Sequence, residues 1–452
     1  MNTQTSNNHQ APRGDHPERF SSVGFIVAAI GSSVGLGNMW KFPYITGEYG
    51  GGAFFLLFIV SLILIGLPIL LAEMTIGRGG RGDSATAMFN LTGSKYWRLF
   101  GLMSVLCAFV IMSYYTVVAG WTLHYTVESF AGVLFRGGDD FRGKFETFAG
   151  SYWPVLWQVV VMAGCAWIIA KGVSGGIERF NKILMPGFLL ILLLLMVRSL
   201  TLPGAGEGVQ FFLWPDFGKL SAESVLVALG HAFFSLSLGM GCMLTYGSYV
   251  SRKQSLGVAT VAVGIGDLLY AFIAGLVIFP TVFSYGLEPG EGVGLAFMAL
   301  PAAFAQMPFG SLFGGLFFLL LAIAAVTSAV SIIEVPVAYA MNNWKWSRKK
   351  AAYVLSAVCL LFGIPAALSV GGVFGGFQPG GKTLFDWYDF TAAYVLMPLG
   401  GLVVSLFTGY AWKRAKEEAG LSGFWNGVWM FLMKLVSPIL IVLVFLYSVG
   451  II

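Results

Sequence analysis

Charge is scarce in this chain: 10% of its 452 residues are Asp, Glu, Lys or Arg, where soluble domains run at about 25%. A water-soluble globular domain is thereby excluded. Cysteine is limited to positions 107, 165, 242 and 359, all within apolar runs at unrelated spacings, which leaves neither a disulfide framework nor a zinc pattern. Residues 1–20 hold no long apolar run, so no signal peptide is expected there and the stretch reads as a polar, disordered tail. The Asn-x-Thr triplet at Asn90 falls in a loop expected inside the cell, and the short exterior loops carry none. That suits a bacterial inner membrane better than a eukaryotic cell surface. No nucleophile, general base or metal cluster stands out, so an enzyme is not expected. The formal net charge of +5 gives no support to a nucleic-acid partner.

What the chain has is apolar length: 57% hydrophobic and 15% aromatic residues, with mean hydropathy +0.81. Eleven runs approach or exceed the roughly 20 residues that cross a bilayer, around 23–44, 51–76, 97–130, 153–170, 181–201, 222–250, 256–285, 310–342, 351–371, 386–412 and 427–451. With the N-terminus in the cytoplasm and the spans alternated, eighteen of the 26 Lys and Arg residues fall on the cytoplasmic side, as the positive-inside rule requires. Among them are Arg348 and the group Lys413, Arg414 and Lys416. A multi-pass protein of the inner membrane is expected, surrounded by lipid, with its C-terminus outside.

Two runs carry the same interruption, Ser33-Val34-Gly35-Leu36-Gly37 and Ser237-Leu238-Gly239-Met240-Gly241, 204 positions apart. Each central glycine disfavours helix by about 1 kcal/mol relative to alanine, and lipid offers no water to an opened backbone. Such breaks persist where they line a site. Matched breaks in two halves of a membrane chain point to a secondary transporter that binds its cargo at the bilayer midplane.

The first break continues into Gly37-Asn38-Met39-Trp40-Lys41-Phe42-Pro43-Tyr44 and then Glu48-Tyr49-Gly50-Gly51-Gly52-Ala53-Phe54. With Tyr114-Tyr115, Phe233-Phe234-Ser235-Leu236-Ser237 and Thr327-Ser328 following in order, the chain resembles the neurotransmitter:sodium symporter family over essentially its whole length, on the branch that carries amino acids in bacteria. The resemblance implies an all-α integral membrane fold of 11 transmembrane helices, a 5+5 inverted repeat with discontinuous first and sixth helices. It also implies the division 1–20 (tail), 21–201 (first repeat), 202–412 (second repeat) and 413–452 (loop and last span), one span fewer than many members have.

Two sodium ions are implied as coupling cargo. The first site takes Ser33, Asn38, Ser235 and the position of Asp267, completed by the substrate's own carboxylate, so that each ligand raises the other's affinity. Asp267 lies in an apolar run, where an acid costs about 2.5 kcal/mol or more and is functional by default. It aligns with an asparagine of the family, and the chloride-site positions read Phe58, His231, Ser235 and Ala271. Asp267 is therefore inferred to ligate sodium and to supply the fixed charge that chloride supplies elsewhere, with a protonated structural carboxyl as the alternative; His231 is its possible partner. The second site takes Gly31, Val34, Ala324, Thr327 and Ser328.

Substrate contacts are implied at Ser33, Gly35, Gly37, Ile111, Tyr115, Phe234, Ser237, Met240, Ser328 and Ile332. Gly35 stands where amine-carrying relatives have aspartate, so the substrate brings its own carboxylate. The apolar lining selects a neutral, hydrophobic L-amino acid, and flexible Met240 can repack around several sizes. The outer gate pairs Lys41 with Asp389. The inner gate departs from the family pattern, with His16-Pro17-Glu18-Arg19 and Asn343 at its positions. Gly172, Gly175, Gly176 and Pro186 permit local unwinding of the fifth span, expected to open a water path to the second ion. A proton-coupled carrier of the same fold, a non-transporting sensor and a channel are the alternatives.

Overall fold

The structure is a computed structural model that describes residues 19–136, 138, 140–289 and 294–451. Among these residues there is helix and no strand. In lipid every backbone N–H and C=O must be satisfied within its own segment, and helices do this. The expected inner-gate residues His16, Pro17 and Glu18 lie outside the described residues.

Ser22–Ser33 (α1) and Gly37–Glu48 (α2) are two halves of one apolar span, bent by 43° at the first break. Gly52–Gly80 (α3), Lys95–Phe130 (α4), Trp153–Ala170 (α5) and Val173–Leu200 (α6) follow as single spans. The run 222–250 forms no continuous helix. It is Ala222–Ser235 (α7) and Cys242–Ser248 (α8), separated by the second break. Leu256–Ser284 (α9), Gly310–Asn343 (α10), Arg348–Ser369 (α11), Leu384–Ala411 (α12) and Gly423–Ser448 (α13) complete the set. By length and composition nine described helices can each cross a membrane, ten with the bent pair.

Polar side chains fix where these helices begin. Ser21 accepts from the Gly24 amide at 3.0 Å ahead of α1, and Thr383 with Asp386 closes a capping box at the start of α12. Packing then sorts the spans. In their most apolar 18-residue stretches, 78% of the residues of α10 are buried, and α10 lies along α4, whereas only 28% of those of α6 are buried and most of that stretch faces outward. α1 is wedged among α6, α9 and α10, so the first break sits at the middle of the bundle.

Candidate functional site

The second break shows why glycine stands there. Gly239 and Gly241 have φ of 79° and 80°, a region closed to most side chains, and Ser237 between the half-helices is held at φ 54°. The backbone opened by this turn is satisfied from α3, where buried Glu73 accepts the Gly239 amide at 2.7 Å. The two breaks are joined directly. Ser237 Oγ donates to the Ser32 carbonyl at 3.0 Å, and Ser328 Oγ of α10 donates to the same oxygen at 3.1 Å.

A cavity of about 20 Å³ lies at this junction, lined by all ten residues expected to touch substrate (Ser33, Gly35, Gly37, Ile111, Tyr115, Phe234, Ser237, Met240, Ser328 and Ile332) together with Ser32 and Leu36. Gly35 is needed for its size: a β-carbon there would stand 3.2 Å from the Tyr115 hydroxyl and closer still to Ser328 Oγ. A roomier cavity of about 900 Å³, between the ends of α4 and α5, lies away from both breaks.

Asn38, Ser235 and Asp267, expected together, are in contact. Asp267 is fully buried; its carboxylate accepts from Asn38 Nδ2 at 2.9 Å and from Ser235 Oγ at 2.8 and 3.0 Å, while Ser235 Oγ also lies 3.2 Å from Asn38 Oδ1. Asn38 and Ser235 directly follow Gly37 and Phe234 of the cavity wall. Every partner of the carboxylate is neutral, and no Lys, Arg or His among the described residues forms an ion pair with it. His231 is not its partner. The imidazole is buried with neither nitrogen hydrogen-bonded and lies against Phe58 (5.0 Å between centroids) and Phe42 (5.8 Å), because aromatic rings line that side of α7.

At the expected second ion site, Thr327 Oγ1 donates to the Ala324 carbonyl at 3.0 Å within α10. The end of α1 is tied to the same level, with Ser32 Oγ donating to Ser331 Oγ at 2.6 Å. Gly31 faces α6, where a β-carbon would strike the Asn181 amide oxygen, itself buried without a partner; Val34 is fully buried at the C-terminus of α1.

The model of the sodium:neurotransmitter symporter family matches residues 18–136 and 151–452. The chain belongs to that family. Its members are secondary transporters that use sodium and are not enzymes. The symporter is 40% identical, over 95% of its length and 97% of the relative's, to an uncharacterized sodium-dependent transporter of Bacillus subtilis. A second such transporter, from Methanocaldococcus jannaschii, is 34% identical over 93% and 88% of the two chains. The crystal structure of MhsT in complex with L-phenylalanine superposes with TM-score 0.89 at 45% identity, covering 95% of the symporter and 99% of MhsT.

The symporter departs from expectation at its gates. Lys41 and Asp389 do not form an ion pair. Asp389 accepts from the Tyr114 hydroxyl at 2.9 Å, and the Lys41 ammonium lies over the Phe234 ring at 4.6 Å and near Tyr394 at 5.5 Å. A lysine lacks the guanidinium fork that would span to the carboxylate, and aromatic faces hold it instead. At the opposite end of the bundle is a buried pair that the sequence reading missed. Arg348 grips Glu334 through both terminal nitrogens at 2.8 and 2.9 Å, and Tyr249, just past α8, donates to the same carboxylate at 2.6 Å. Asn343 bonds Asp83 at 3.1 Å and receives Arg98 at 2.8 Å. Nearby, Gly172 at φ 92° opens a wide π-helical turn, Val173–Glu178, whose last residue accepts from the Ser21 amide and hydroxyl at 3.0 and 2.6 Å.

Proposed function

We propose that this symporter carries a neutral, hydrophobic L-amino acid inward with two sodium ions by alternating access, independently of chloride. The observation that carries the reading is the Asp267 carboxylate, buried among neutral donors beside the cavity. An uncompensated buried charge is costly, and a hard monovalent cation shared with Asn38, Ser235 and the Ser33 carbonyl offsets it. A substrate carboxylate at the same ion would then be oriented by Tyr115, with its side chain toward Ile111, Phe234, Met240 and Ile332. The L-phenylalanine bound by MhsT supports this substrate class. Phe58, packed against His231, and Ala271 carry no hydroxyl, which supports a fixed charge in place of chloride.

The second ion belongs between the end of α1 (Gly31, Val34) and α10 (Ala324, Thr327, Ser328). Two ions crossing about 100 mV with a tenfold gradient supply roughly 7 kcal/mol, on the order of 10⁵-fold accumulation of a zwitterion; one supplies a few hundredfold. The architecture proposed is eleven spans, counting α1–α2 and α7–α8 as one broken span each. Residues 21–201 and 202–412 form the inverted repeats, in a bacterial inner membrane with the N-terminus inside. Tyr114, Lys41 and Asp389 then guard the outer side, and the Tyr249–Glu334–Arg348 cluster closes the inner side.

Small-molecule sites occupy about 300–1,000 Å³, so the 20 Å³ cavity must widen, with Tyr115 and Phe234 parting to admit substrate. Equilibrium binding of labelled L-phenylalanine to the purified symporter tests the reading. Binding that rises with sodium, is matched in sodium chloride and sodium gluconate, and is displaced by leucine but not by glutamate or dopamine is expected. Binding indifferent to sodium would refute it.

A further inference from the structure

Lys434 is a charge that the transport scheme does not use. It is the twelfth of the 26 residues of α13, a span otherwise clad in exposed Phe431, Leu435, Ile439 and Val442, and it lies partly open on that face. A lysine on the outer face of a membrane span is costly unless its ammonium reaches the interface or an anion. Among the described residues it makes no ion pair, and its aromatic partner, the Tyr410 ring, is 5.6 Å away.

The surroundings are arranged to hold that side chain at one place. α13 widens into a π-helical turn at Leu432–Val436, and α12 caps the carbonyls this frees: Ser405 Oγ donates to Met433 at 2.7 Å and Tyr410 Oη to Lys434 at 2.8 Å. Gly409 leaves a slot for the lysine stem, since a β-carbon there would come within 3.1 Å of Lys434 Cγ. Tyr410 is the next-to-last residue of α12, so this contact places the ammonium beside the end of that helix. The chain then runs directly into Lys413, Arg414 and Lys416, all exposed and without ion pairs among the described residues. Of the acids there, Glu418 is held by Arg78 at 2.6 Å, leaving exposed Glu417 against four cations.

We infer that the cleft between α12 and α13, formed by Lys434, Gly409 and Tyr410 and rimmed by Lys413 and Arg414, binds the phosphate of an anionic phospholipid from the adjoining leaflet. The acyl chains lie along Leu435, Ile439 and Val442. Basic pockets between spans, at the level of the headgroups, have the chemistry for this. The site holds whichever way the chain is oriented, because the end of α12 and the start of α13 share one side.

The test is native mass spectrometry of the full chain, delipidated and re-equilibrated with vesicles of phosphatidylethanolamine containing one-fifth phosphatidylglycerol. One phosphatidylglycerol should remain bound under conditions that strip phosphatidylethanolamine. Lys434→Met should weaken its retention by about fivefold, the scale of one cation at the headgroup level. Lys434→Arg should keep it, as should Leu190→Ala on the outward face of α6. Methionine suits an exposed membrane face, so Lys434→Met should fold, and unchanged amino-acid uptake would report that it has. Equal retention of the two lipids, or no effect of Lys434→Met, would overturn the assignment. Displacement by inorganic phosphate alone at millimolar concentration would also overturn it, by showing an anion site that needs no lipid.

Discussion

Replacing Asp267 by asparagine removes one charge from the proposed first ion site while keeping its shape. The carboxylate oxygens accept from Asn38 at 2.9 Å and from Ser235 at 2.8 and 3.0 Å, so an amide can retain at least one of these bonds. A charge-assisted contact contributes about 1.5–3 kcal/mol. Sodium half-saturation of uptake should therefore rise about 10- to 150-fold. Stability should respond with the opposite sign in sodium-free buffer, because an uncompensated buried carboxylate destabilises the fold and a neutral amide does not. The variant should then melt no lower than the parent. Sodium at a hundred times the parent's dissociation constant stabilises the parent by about 2.7 kcal/mol, but a variant with thirtyfold weaker binding gains only about 0.9 kcal/mol. Uptake into proteoliposomes across a sodium series, with melting curves at the same concentrations, reads both effects. An unchanged sodium half-saturation would refute the ligand role. A variant much less stable without sodium would point instead to a structural hydrogen-bonded carboxyl.

Gly35→Ala should cut uptake of every substrate by at least about tenfold, since the added carbon crowds Ser328 and Tyr115; near-normal leucine uptake would contradict the placement of the cavity. Thr327→Val should lower the Hill coefficient for sodium from near 2 toward 1 by removing a ligand of the second ion, and an unchanged coefficient would remove Thr327 from that site. Glu334→Gln removes the carboxylate charge that Arg348 grips through both terminal nitrogens and should destabilise the protein by about 3–5 kcal/mol in melting experiments. Adding Arg348→Met should recover part of that loss while leaving the inner side leaky; a double variant no more stable than Glu334→Gln would contradict the buried pair.

The breaks were legible because lipid tolerates a pair of glycines in mid-span only where the helix opens onto something that satisfies its backbone, and all ten expected substrate contacts meet at one cavity. Asp267 was legible for a similar reason: an acid in lipid needs a purpose. The same rule reaches Glu73 and Glu334, which also lie inside apolar runs, but their partners were hidden. Glu73 bonds a backbone amide 166 residues away, and Arg348 meets Glu334 from a different helix, so helical spacing shows neither. The Lys41–Asp389 pairing failed because the family pattern assumes an arginine's reach. The sixth run was read as a span broken at Ser237–Gly241, and backbone geometry shows how far α7 and α8 are parted there, with Gly239 and Gly241 at positive φ.

The most direct measurement is uptake of radiolabelled leucine and tryptophan into proteoliposomes, with sodium, potassium or choline outside and chloride or gluconate as the anion. Uptake that requires sodium and is equal in chloride and gluconate is predicted. Uptake without sodium would contradict the ion sites, and uptake that requires chloride would contradict the role given to Asp267.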